Sequence, residues 1–217
     1  MKIILFGATG MVWSGVLRQC LLDPEVEEVL SIGRNPSGVL HSKLRNLVRS
    51  DMFDFDARGE ALENYDACFF CLGVSSVGMN EAEYTHLTYD LTMGWAKTLA
   101  RDTPAIRLLY VSGMGSGGRS MWARVKGRTE EALLALLPNA IMVRLGALRP
   151  MHGEGTTTPA GKTLLALFAP LWPILQWLWP SGVITSEELG RAMILAASQS
   201  GSKRVLESAD LVALGRH

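Results

Sequence analysis

The sequence predicts an α/β fold: a doubly wound, mainly parallel sheet with helices on both faces. Two observations carry this. Short apolar runs alternate with longer stretches of helical periodicity from the N-terminus to Arg144, the pattern of parallel strands joined by helical crossovers. The runs are also apolar at nearly every position, as strands are when helices cover both faces of their sheet.

Ile3–Phe6 reads as the first strand, followed by a glycine-rich turn and a helix over Met11–Leu22. Val29–Ile32 is the second strand, stopped by Gly33, and Leu47–Val48 a weak third. Ala67–Leu72 is the fourth, leading into the turn Gly73–Gly78. A long helix is expected over Glu81–Ala100, with Pro104 just past its end. Ile106–Val111 is a fifth strand, Trp122–Leu137 a helix stopped by Pro138, and Ile141–Val143 a sixth strand. After Arg144 the rhythm breaks. Residues 147–185 read as a loop and an apolar helical stretch interrupted by Pro170, Pro173 and Pro180. Thr185-Ser186-Glu187-Glu188 then opens a last helix, with acids in its first turn, reaching Ser198. A short strand near Arg204–Glu207 is expected to close the chain.

With 217 residues, 48% of them apolar, the chain can bury one sizeable core, so residues 1–217 are expected to form a single domain. Lys plus Arg and Asp plus Glu are equal at 21 each, which argues against nucleic-acid binding through a large basic surface. The three cysteines cannot all pair, and the apolar run after Lys2 is too short for a secretory signal. A reduced, cytoplasmic setting is the expectation. Cys68 and Cys71 form a C-x-x-C inside the fourth strand. Strand residues three apart point to opposite faces, so these thiols are not expected to share a metal or a disulfide.

Directly after the first strand stands Gly7-Ala8-Thr9-Gly10. Glycines between a strand and a helix let backbone N–H groups and the helix N-terminus approach a pyrophosphate. The second strand ends in Gly33-Arg34-Asn35, with no carboxylate to accept from a ribose 2′-hydroxyl. A guanidinium suits a 2′-phosphate instead, so NADP(H) is expected over NAD(H).

These motifs resemble the extended and atypical short-chain dehydrogenase/reductases. Gly7–Gly10 looks like their G-x-x-G-x-x-G, and Leu30–Arg34 like their second strand and its basic end. Phe69–Gly73, Tyr110–Gly113, Val125–Glu130 and Val143–Gly146 match later landmarks. The likeness covers nearly the whole chain and is greatest to the Tat-interacting-protein-like oxidoreductase branch. It implies a Rossmann fold binding NAD(P), with Gly7, Thr9, Gly10, Met11, Arg34, Leu72, Gly73 and Lys126 holding the cofactor. It also implies an oxidoreductase acting on a small, apolar carbonyl or alcohol. Ser112 would orient the reacting oxygen and Lys126 the nicotinamide ribose.

The resemblance fails at two places. The third glycine of the motif is here Trp13, whose ring is expected to displace the helix, fill the phosphate cleft or point away along the helix surface. The family's catalytic tyrosine is here Trp122, four residues before Lys126 and on the same helix face. An indole N–H only donates, so Trp122 would line the pocket without shuttling a proton. Tyr84, Tyr89, His152 or an ordered water could take over the transfer, and His152 lies on the expected substrate side. The alternatives are a chemistry that does not need the phenol and a catalytically silent nucleotide-binding regulator or scaffold.

Residues 147–185 are expected to form the substrate side. Within them, 163–179 carry no charge and include three tryptophans. This stretch reads as a substrate lid or a contact between copies in a homo-oligomer, with membrane-surface docking and plain core packing as the alternatives. Gly155–Thr163 has five residues between its glycines and no preceding strand, so it is not a P-loop. The histidines lack metal-binding spacing.

Overall fold

The structure, a computed structural model, describes residues 1–7, 10–56, 62–152, 172–199, 201 and 203–216. Its centre is a seven-stranded, all-parallel sheet. The strands are β1 (Lys2–Phe6), β2 (Glu28–Gly33), β3 (Leu44–Val48), β4 (Ala67–Phe70), β5 (Arg107–Gly113), β6 (Ile141–Leu145) and β9 (Val205–Leu206). Their order, β3-β2-β1-β4-β5-β6-β9, reverses direction between β1 and β4. Ligands of open α/β sheets bind at such a switch point, outside the carboxyl ends of the strands.

β1, β2 and β4 are buried along nearly their whole length, as their continuous apolar sequences require. On one face, α1 (Met11–Leu22), α6 (Ser186–Ser198) and α7 (Ser208–Gly215) pack over Ile3, Leu5 and Phe69. On the other, α3 (Leu91–Asp102) and α4 (Met121–Leu136) cover Ile4, Phe6 and Phe70, and α2 (Glu81–Thr85) packs against α4. Cys68 belongs to the second core and Cys71 to the first, on opposite faces.

The single helix expected over 81–100 is helical throughout but switches to a π turn at His86–Asp90 between α2 and α3. Asn80 and Glu83 form a capping box at its start. The expected loop after β6 contains two further strands, β7 (Ala147–Arg149) and β8 (Val183–Thr185), which pair with each other in parallel. Between them, α5 covers Trp172–Leu178; the rest of the apolar stretch lies outside the described residues. A final helix, α7, follows β9 where the sequence suggested only a closing strand. Its start is a capping box in which the Glu207 carboxylate accepts from the backbone and Asp210 reciprocates.

Candidate nucleotide cleft and its catalytic side

The first turn is built for close approach. Gly7 has φ +117°, a conformation L side chains rarely adopt, and a β-carbon there would sit 3.0 Å from the Cys71 carbonyl oxygen. Gly10 caps α1 in extended conformation with no side-chain hydrogen bond and no acid in the first turn. The opening N–H groups of α1 have no intrahelical partners, and together with the helix dipole they favour an anion. Thr9 lies outside the described residues. Met11 packs against the α1-side core.

A cleft of about 550 Å³ opens beside this turn. Gly7, Gly10, Leu72 and Gly73 form one part of its wall, Arg34 and Asp51 another. Arg34 is exposed at the end of β2 and makes no ion pair with any described residue. Sequence reasoning missed Asp51, Met52, Phe53, Leu87 and Leu91, which also line the cleft. They reach it because the segment after β3 is tied to the long helix: Trp95 Nε1 donates to the Met52 carbonyl at 2.9 Å, and Thr98 Oγ1 to that of Phe55 at 3.1 Å. Gly94 leaves room for the Phe55 ring, which would collide with any β-carbon there. Phe53 stacks on His86 with centroids 4.2 Å apart. The π turn carries Leu87 into the wall, a placement that i,i+4 periodicity does not anticipate. A carboxylate shortly after a strand end was the one available signal for Asp51.

Trp13 neither fills the cleft nor points away along the helix surface. It is only 3% exposed and sits in the α1-side core with Val16, Cys71, Val111 and Leu148. It is absent from the cleft wall. The core accepts the ring with its Nε1 buried and unpartnered.

The residues expected to be catalytic lie together on β5 and α4, and none of them lines the cleft. Ser112 is buried, with its Oγ 2.6 Å from Ser116 Oγ. Ser116 in turn donates to the Gly113 carbonyl at 2.7 Å, so the Ser112 proton points to Ser116. Trp122 lies against the loop after β5, and a β-carbon on Gly113 would be 3.4 Å from its ring. Lys126 is half-buried one turn further along α4. Its Nζ is 3.4 Å from the Val111 carbonyl and 5.6 Å from the centre of the Tyr110 ring. Burial pushes this ammonium down to about 8, against a smaller opposing pull from Glu130. Glu130 cannot compensate it fully, because its carboxylate is held by Arg144 at 2.6 Å.

Of the substitute proton carriers, Tyr84 is buried and its hydroxyl is pushed up by desolvation. Tyr89 lies under Arg128, 4.5 Å from the ring centre. His152 Nε2 pairs with Glu187 at the start of α6, and this contact holds the Glu187 carboxyl below its usual range. The structure therefore brings Ser112, Trp122 and Lys126 together and leaves His152 in a separate pair. Among the described residues no group of His, Cys, Asp and Glu could hold a metal ion.

No family model matches the chain. Among curated proteins, "Protein fmp52, mitochondrial" of Emericella nidulans is 25% identical over 234 residues, covering 99% of each chain. "Protein fmp52-1, mitochondrial" of Aspergillus terreus is 26% identical over 233 residues, again covering 99% of each. These names overturn the cytoplasmic expectation, which rested on thiol content and a short apolar run, neither of which reports an organelle. Among solved structures, the UDP-glucose 4-epimerase of Thermotoga maritima with UDP-glucose superposes with TM-score 0.68 at 13% identity, covering 100% of this chain and 82% of its own. The UDP-glucuronic acid 4-epimerase of Bacillus cereus in complex with NAD gives 0.69 at 15%, covering 95% and 76%. The sheet order, the glycine turn and these superpositions agree: the chain has the Rossmann-type α/β fold of these two epimerases.

Proposed function

We propose that this protein binds NADP(H) and acts as an oxidoreductase of the atypical short-chain type, akin to the Tat-interacting-protein-like branch, on a small apolar carbonyl or alcohol. The mitochondrial setting in its relatives' names is the setting we propose for it. The observation that carries the reading is the cleft between the uncapped N-terminus of α1 and Arg34, clear of the Trp13 ring. Gly7 and Gly10 would admit the pyrophosphate to the backbone N–H groups, and Arg34 would take the 2′-phosphate.

The bound nicotinamide would supply or accept the hydride. The chain's own residues must orient the oxygen and move the proton. Trp122 Nε1 can donate a hydrogen bond but cannot exchange a proton. Lys126, with its ammonium lowered to about 8, can hold or release one near neutrality. Ser112 would orient the oxygen after exchanging its bond to Ser116. Residues 147–185 would face the substrate.

A second reading, nucleotide binding without turnover, is favoured by Trp122 in place of the phenol and by the bond of Ser112 to Ser116. Titration with NADPH and NADH, followed by NADPH absorbance with a panel of apolar aldehydes and ketones, separates the two. NADPH binding tighter than NADH with carbonyl-dependent oxidation supports the first. Binding without oxidation selects the second, and no binding of either dinucleotide refutes both.

A further inference from the structure

We infer that the face carrying Trp177, Leu178 and Trp179 docks on an anionic lipid surface. These consecutive residues are 80%, 65% and 41% exposed at the end of α5. A single exposed apolar side chain is ordinary; two indoles and a leucine in one run form a patch. Met151, on the loop after β7, adds a further exposed apolar side chain at 40%.

The charges around the patch select lipid as the occupant. No ionisable side chain occurs from Thr163 to Ser186, so the patch carries no charge of its own. Arg149 reaches Gln176, the residue before Trp177, and donates to its Oε1 at 3.0 Å. A neutral amide is thus the partner of this guanidinium, and no carboxylate among the described residues pairs with it. The nearby acid Glu187 is engaged by His152. A cation with no carboxylate partner among the described residues, beside amphipathic indoles, matches the headgroup level of a membrane, where tryptophan rings settle and arginine meets phosphate.

The docking lies in the plane of the interface. α5 has seven residues, about 10 Å of helix against a hydrocarbon core of about 30 Å. Among the described residues no helix is long and apolar enough to cross a membrane. β7 starts just past the carboxyl end of β6, which puts this region at the carboxyl edge of the sheet, where the nucleotide cleft opens. Two more loops of that edge expose Val77 at 87% and Met114 at 45%. The inference is independent of whether NADP(H) is bound or turned over.

The test is co-sedimentation of the full chain with vesicles of phosphatidylcholine alone or mixed with phosphatidylglycerol. Wild type should pellet with the mixed vesicles, and its tryptophan emission should shift to the blue and be quenched by brominated lipid. Replacing Trp177, Leu178 and Trp179 by serine should weaken binding about a hundredfold or more, since each buried side chain is worth roughly tenfold. Arg149→Gln should lower binding several-fold and reduce its salt dependence. Because Trp179 packs on Gly182, the single variant Trp177→Ser, with its circular dichroism melt matched to wild type, guards against misfolding and should lose about tenfold. Wild type left in the supernatant with mixed vesicles overturns the inference, as does unchanged binding of Trp177→Ser. A wild-type dimer by light scattering that the triple variant converts to monomer also overturns it, by assigning the patch to a second copy of the chain.

Discussion

Replacing Trp13 decides whether this ring belongs to the core or to the nucleotide cleft. The indole is 3% exposed and belongs to the same core as Val16, Cys71, Val111 and Leu148. Truncating a buried Trp of this kind costs about 3–5 kcal/mol, and a glycine inside α1 adds about 1 kcal/mol. Trp13→Gly should therefore lose about 4–6 kcal/mol, a large part of the roughly 5–15 kcal/mol that holds a domain together. Trp13→Phe is the informative partner. It removes the buried, unpartnered Nε1, whose desolvation costs about 1–3 kcal/mol, and leaves only a small void. These effects offset, so Trp13→Phe should stay within about 1 kcal/mol of wild type. Denaturant unfolding followed by far-ultraviolet circular dichroism reads both changes. A parallel NADPH titration should find affinity unaltered in Trp13→Phe. A Trp13→Gly protein with wild-type stability and tenfold tighter NADPH would refute the reasoning, because the ring would then have stood in the cleft.

Other outcomes follow from named groups. Arg34→Ser should weaken NADPH about 10–100-fold, the worth of a charge-assisted hydrogen bond, and change NADH little, as isothermal titration would show; equal losses for both would remove the 2′-phosphate role. Lys126 has its folded ammonium lowered from 10.5 to about 8, so the unfolded chain binds this proton more tightly. Its contribution to stability is therefore unfavourable below about pH 8 and improves between about 8 and 10.5. Lys126→Met should raise the melting temperature at pH 7 and flatten that rise. Glu130→Gln should cost about 1.5–3 kcal/mol in denaturant unfolding, the worth of a charged hydrogen bond, because the partly exposed Arg144 loses its buried carboxylate partner and keeps only Glu207 at 3.0 Å. Gly7→Ala should strain the turn against the Cys71 carbonyl and reduce dinucleotide affinity more than overall stability; an unaltered titration curve would speak against the turn as the phosphate site.

Much of the architecture was legible in the sequence because it rests on short-range patterns. All-apolar runs such as Ile3–Phe6 and Ala67–Phe70 have few stable environments other than the middle of a covered sheet. Thr185 and Glu188 announce a helix start that the structure forms as a capping box. The glycine turn stands where its spacing put it, because the φ of Gly7 and the closeness of Cys71 leave room for no other residue. Elements decided by partners distant in sequence were not legible. β7 and β8 are three residues each and exist through their mutual pairing across the intervening segment.

The chain by itself determined the parallel sheet, the glycine turn, the basic end of β2 and the departures at Trp13 and Trp122, because each is a property of residue type and spacing along the backbone. Only the tertiary structure decided where those departures point. Trp13 turns into the core because the space between α1 and the sheet accepts its ring, and Trp122 lies over Gly113 and Gly115, within van der Waals reach of the places their β-carbons would take. It also brought Asp51, Phe53 and Leu87 to the cleft through the π turn and the bond from Trp95 to Met52. These are contacts between segments some forty residues apart, and their geometry is set by packing, which no local pattern encodes.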